Sequence, residues 1–186
     1  MPWLKQRIGM NSRLVTSIDP TAVTLADFNE WLKWDGSEEE NTRNACLFGA
    51  VKRAEQYTRR TILKSTWRTY MDCFPSCFHL DVYPIVLSSI VVKYLDVDDV
   101  LQTLSSSEYF VRDNGEDHAE IVFNGTMPSI TDEEEPIYLE YTAGYEAGEI
   151  PEGIRVWILQ NASDNFENRQ GSSPNYSSLF PYKIFG

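Results

Sequence analysis

Apolar residues recur at helical spacing near both ends of the chain and at alternating positions through its middle. Leu25, Phe28 and Leu32 share one helical face, with Trp31 beside them, which predicts a helix over 25–34. Thr24 and Asp27 have the spacing of a capping box at its start. Asp35-Gly36 interrupts the pattern, and Ser37 is expected to cap a second helix over 38–60. Glu38, Glu39 and Glu40 then fall in the first turn, where the helix dipole favours anions, and Arg59 and Arg60 fall at the other end. Leu47, Ala50, Val51, Ala54 and Tyr57 form its apolar stripe, and the small alanines predict the close approach of another helix. A third helix is expected over 151–170. Pro151 suits its first position, Ile154, Trp157, Ile158 and Phe166 make its apolar face, and Gly171 can end it in a left-handed cap. That face is expected to pack on the long second helix.

From Thr66 the period changes to two. Trp67, Thr69 and Met71 alternate with Arg68, Tyr70 and Asp72, and Val91, Lys93 and Leu95 alternate with Val92, Tyr94 and Asp96. Val97-Asp98-Asp99-Val100 has the character of a tight hairpin. Further strands are expected near 109–112, 120–123 and 137–142, with Pro75, Pro84, Pro128 and Pro136 at loops or edges. The fold class is therefore α+β: a small helical bundle with an inserted antiparallel β-sheet or small sandwich. The boundaries are a mobile basic arm over 1–21, a domain over 22–171 with its β-rich insertion at 66–142, and an aromatic C-terminal arm over 172–186.

Composition narrows the function. The chain has 186 residues, of which 42% are hydrophobic, enough for one domain with its own core. No apolar run reaches the roughly 18 residues that span a bilayer, so no membrane role is expected. The N-terminus lacks the apolar centre of a signal peptide, which predicts a protein that stays where it is made. Cys46, Cys73 and Cys77 cannot all pair and read as reduced thiols. The first 18 residues carry Lys5, Arg7 and Arg13 without an acid, against a net charge of −12 for the whole chain. That charge argues against binding nucleic acid through its phosphates, yet an acidic wall would let a duplex slide past.

Chemical motifs are sparse. Cys73, Cys77 and His79 form a metal-like cluster, for which a fourth ligand would have to come from Cys46 or His118. The competing reading is a loop with two ordinary cysteines, and no metal site or cofactor is assigned. Asp96, Asp98 and Asp99 lack the central glycine and closing glutamate of a calcium loop. Asp132, Glu133, Glu134 and Glu135 read as a solvated loop or, in a ring, an acidic rim. No nucleophile elbow or phosphate-binding glycine motif occurs, so no catalytic residue is proposed. The tail is different. Tyr176, Leu179, Phe180, Pro181, Tyr182, Lys183, Ile184 and Phe185 make an apolar, acid-free stretch that either folds back on its own domain or docks on a partner.

Four stretches then carry a resemblance. They are the opening helix around Leu25 to Leu32, the long helix ending in Ala54 to Leu63 and running into Thr66 to Pro75, the sheet closing with Leu139-Glu140-Tyr141-Thr142-Ala143-Gly144-Tyr145, and Ile150-Pro151-Glu152-Gly153-Ile154-Arg155 leading to Phe166 to Arg169. In that order, over about residues 24–170, the chain resembles the head–tail connector (adaptor, or head-completion) proteins of tailed bacteriophages. The resemblance implies no enzymatic activity and a place at the virion neck. It implies a homo-oligomeric ring, usually of twelve subunits, beneath the portal protein ring, which extends the DNA channel and offers a surface to the stopper or tail. It also implies that a C-terminal segment, here Leu179 to Phe185, reaches into the portal. On that reading, removal of residues 175–186 leaves the domain folded and abolishes attachment. The alternatives are a small metal-dependent enzyme using Cys73, Cys77 and His79, or another neck or tail component such as a stopper.

Overall fold

Thr24 opens the first helix as its spacing predicts. Its hydroxyl accepts the Asp27 N–H at 3.1 Å, and the Asp27 carboxylate accepts the Thr24 N–H at 2.8 Å. Helix α1 spans Leu25–Leu32 and ends two residues before the expected limit, because Lys33 turns left-handed at φ 54°. Throughout, the computed structural model describes residues 11–17, 22–113, 115, 119–146, 148–168 and 173–184.

Helix α2 spans Glu40–Thr58 and starts later than expected. Ser37 does not cap it. Glu39 takes the cap position at φ 57° with no side-chain hydrogen bond. Arg43 supplies the missing order: fully buried, it donates to the carbonyls of Glu38 (2.6 Å) and Gly36 (3.3 Å) and lies over the Trp34 ring at 5.0 Å. Arg59 ends α2 at φ 58°, so Arg59 and Arg60 lie beyond the helix and not in its last turn. The Glu55 carboxylate then pins the exit by accepting the N–H groups of Ile62 (2.8 Å) and Leu63 (3.1 Å).

Helix α3 spans Glu152–Glu167, with Pro151 at its cap position. Gly171 and the last residues of the expected helix lie outside the described residues. Leu47, Ala50, Val51 and Ala54 of α2 are buried in one cluster with Ile154, Trp157 and Ile158 of α3, and Tyr57 and Phe166 pack against it. Ala50 and Ala54 have no exposed surface, which is what a close helix crossing requires. The clasp between helices from the two ends of the chain is thus present. Arg53 bridges it by donating to Asn161 at 2.8 Å.

These helices make one of two compact units. It takes the described residues of Ile18–Lys64 and Gly144–Gly186; the other takes those of Met1–Ser17 and Ser65–Ala143. Gly144, where the chain enters the helical unit for the second time, holds φ +117°, and a Cβ there would lie 2.6 Å from the Lys64 Cα. Only glycine fits.

The second unit is antiparallel β. Its strands are β1 (Asn11–Ser17), β2 (Ser65–Met71), β3 (Cys77–His79), β4 (Ile85–Leu95), β5 (Leu101–Thr103), β6 (Tyr109–Asp113), β7 (Ala119–Phe123) and β8 (Ile137–Ala143). They form a five-stranded sheet in the order β1-β2-β8-β4-β5 and a three-stranded sheet in the order β3-β7-β6. In β8, Ile137, Leu139, Tyr141 and Ala143 are buried in strict alternation. On its other face Glu140 accepts from Arg68 (2.7 Å) and Lys93 (3.3 Å) on the flanking strands. Ser89 organises a bulge in β4: its hydroxyl donates to Val86 O at 2.6 Å and accepts the Thr142 N–H at 2.8 Å. Between the sheets, the Tyr109 hydroxyl donates to Ile90 O at 3.2 Å, and Phe74 meets both Tyr94 and Phe123 edge-on.

One departure concerns the basic arm. Residues 11–17 form the edge strand β1, although the sequence alone placed them in a mobile segment. Arg13 lies over the Tyr70 ring and reaches Glu135 at 2.9 Å, and the Ser12 hydroxyl bridges Thr69 (2.8 Å) and Asp81 (2.6 Å). Lys5 and Arg7 lie outside the described residues.

Candidate functional site

The C-terminal segment was the first candidate for docking, and the structure folds it onto its own unit. Ser177–Tyr182 forms a 3₁₀ helix. Ahead of it, Tyr176 is stacked between Tyr57 (centroids 4.5 Å apart) and Trp157 (5.3 Å), and the Trp157 indole N–H donates to Asn175 O at 2.7 Å. Leu179 is completely buried in the helical core. Arg60 donates to Tyr182 O at 2.7 Å, the Ile184 N–H donates to Thr58 O at 2.9 Å, and the Lys183 ammonium sits 4.9 Å from the Tyr57 ring centre. Gly153 leaves the space that the Tyr182 ring occupies. The reason is aromatic matching: Tyr57 of α2 and Trp157 of α3 present rings on which Tyr176 stacks. Phe180 and Pro181 remain exposed, and Phe185 lies outside the described residues.

The acidic loop is a second candidate. Asp132, Glu133 and Glu134 are exposed, while Glu135 is pinned at φ 52° by Arg13. With Asp72 they line an open basin of about 660 Å³. Two apolar surfaces join the candidates. At the β4–β5 hairpin, where the Asp96 carboxylate accepts the N–H groups of Asp98 and Val100 (3.0 Å each), the exposed tip carries Val97, Val100 and Leu101. On the helical unit, Val23, Leu25, Leu47, Val51 and Leu63 floor a groove of about 210 Å³ beside the exposed Phe48.

For chemistry, the structure regroups the suspected cluster. Cys77 and His79 lie on β3, and the third group that joins them is Glu120 of β7, not Cys73. Sequence reasoning missed Glu120 because its partner is set by strand register, His79↔Glu120, and not by spacing along the chain. Cys46 belongs to α2, in the other unit, and His118 lies outside the described residues. Tyr141 is the strongest titration anomaly: burial pushes its phenol up to about 12, so it stays neutral, hydrogen-bonded to Thr69 at 3.1 Å. Among the described residues, no helix is long and apolar enough to cross a membrane.

The described residues thus form an α+β fold of two compact units. No family model matches the sequence, and no curated protein matches it. Solved structures do share the fold. A chain in the neck of an empty gene transfer agent particle, computed with C6 symmetry, superposes with a TM-score of 0.76 at 15% identity, over 95% of this chain and 97% of that one. A chain in the virion of the native gene transfer agent particle gives 0.75 at 17% identity over the same shares of both chains. One in the native neck, computed with C12 symmetry, gives 0.71 at 15%, again over 95% and 97%. At these identities the shared property is the fold, across both chains nearly end to end.

Proposed function

We propose that this chain is a structural subunit of the neck of a tailed-phage-like particle. More specifically, it is a head–tail connector that forms a ring under the portal, extends the DNA channel and docks the stopper or tail. The observation that carries this reading is the superposition on neck chains over 95% of this chain and 97% of theirs. The four motif stretches, read from sequence, lead independently to the same class of protein.

Physical properties of the chain support the role. A ring needs a heterologous interface, in which one face of a subunit meets a different face of the next. The hairpin tip and the Phe48 groove are two dissimilar apolar faces of the kind such an interface uses. Weak contacts repeated around a ring hold far more firmly than one contact alone. A net charge of −12 keeps a channel wall from binding the phosphates of passing DNA. The role calls for no catalysis.

The test is electron microscopy of the untagged chain mixed with purified portal rings. The proposal expects added density in a ring at one end of the portal. Portal rings that emerge bare at saturating chain concentration would contradict it.

A further inference from the structure

Cys77 and His79 stand two residues apart on β3, so their side chains leave the same face of the sheet. His79 is directly opposite Glu120 in the antiparallel register, so the Glu120 side chain leaves that face as well. The sulfur, an imidazole nitrogen and a carboxylate oxygen all lie within 4.8 Å of one another. His79 Nε2 is 3.7 Å from Glu120 Oε1. Metal–ligand bonds of roughly 2.0–2.3 Å in a tetrahedron put ligand atoms about 3.3–3.8 Å apart. The histidine–carboxylate edge lies within a few tenths of an ångström of that length, and the exposed Cys77 side chain has to close from no more than 4.8 Å.

The carboxylate is also prepared for the task. Glu120 is buried, and Arg112 on β6 holds its other oxygen, Oε2, at 2.6 Å. That bond fixes the carboxylate so that Oε1 faces the histidine, the usual way a neighbouring group orients a ligand. The Arg112 charge disfavours a cation nearby; against it stand the Glu120 carboxylate and the thiolate that Cys77 becomes when a metal binds. Cys77 is exposed and the His79 side chain is 62% exposed, so an ion can enter from solvent and keep a water in its fourth position.

We infer that Cys77, His79 and Glu120 form a three-ligand site for a borderline-soft divalent metal ion, with Zn²⁺ the ion that this sulfur, nitrogen and oxygen set suits. Binding converts the Cys77 thiol to a thiolate and releases its proton to solvent. The site is independent of the connector role. Its ligands lie on the three-stranded sheet, away from the hairpin tip in sequence and on a different sheet.

The test uses the untagged full chain, stripped with a chelator and titrated with Zn²⁺ in competition with a chromophoric chelator. Co²⁺ is the spectroscopic probe. One equivalent of Zn²⁺ is expected, with a thiolate-to-cobalt charge-transfer band. C77S removes the band, and C77S and H79A each weaken Zn²⁺ binding by about tenfold or more. Both replace exposed side chains, and circular dichroism checks that the fold is kept. C73S leaves the band and the affinity unchanged. Absence of a stoichiometric site, wild-type binding by C77S or H79A, or loss of the band in C73S would each overturn the assignment.

Discussion

Tyr176 stacks on Tyr57 with ring centroids 4.5 Å apart and planes 9° from parallel, so this part of the C-terminal segment packs against the helical core. Behind it Leu179 is fully buried. Removing residues 175–186 is therefore expected to destabilise the helical unit, in line with the fold-back alternative and against the docking reading, on which the domain would stay folded. Leu179→Ala should cost about 2–5 kcal/mol, as buried leucine truncations do. Phe180→Ala, at an exposed position, should stay within about 0.5 kcal/mol. Urea denaturation of the two variants compares them directly, and equal midpoints would show that the tail is not core.

Arg43 is expected to behave as a core residue despite its charge. Arg43→Ala removes the donors to the Gly36 and Glu38 carbonyls and empties the space beside Trp34. A loss of about 2–4 kcal/mol is expected in thermal or chemical unfolding, well above what a surface arginine costs.

Gly144→Ala places a methyl group against the Lys64 backbone at a left-handed φ. The expected loss is about 2 kcal/mol or more, since both strain and a steric clash act. Gly49→Ala is the control: its Cβ meets nothing, and it lies within a helix. There alanine should be neutral or stabilising.

Acid should loosen both units through two carboxylates. At Asp27 burial raises the pKa, but the hydrogen bonds from Thr24 and Arg155 outweigh it and leave the group below its ordinary value. At Glu140 burial is likewise outweighed, by Arg68 and Lys93. Folded pKa values below the unfolded ones contribute stability that is complete above the ordinary carboxylate range of about 4 and is lost as pH falls through the lowered native values. Urea midpoints should decline from about pH 4 downward. Asp27→Asn should flatten that decline; an unchanged slope would remove Asp27 from the account.

Most of the helical pattern was legible because apolar spacing and one capping box act locally: α1, α2 and α3 fall inside the expected spans, and the α2–α3 faces meet as the alanines foretold. The hairpin at Asp96 to Val100 was equally local. What escaped depends on contacts distant in sequence. β1 forms because Ser12 finds Thr69 and Asp81 and Arg13 finds Glu135, none of which the first 18 residues advertise. The missing helix cap at Ser37 was replaced by a buried arginine whose burial no periodicity marks. The tail's fate turned on rings supplied by two helices, and Glu120 joined Cys77 and His79 only through strand register.

Mass measurement on single complexes most directly tests whether this is a ring-forming neck subunit. Portal rings incubated with the chain should gain the mass of a full ring, twelve copies if the symmetry follows the C12 neck whose chain shares this fold. A mixture in which portal and chain keep their separate masses, at concentrations far above those of assembly, would contradict the proposal.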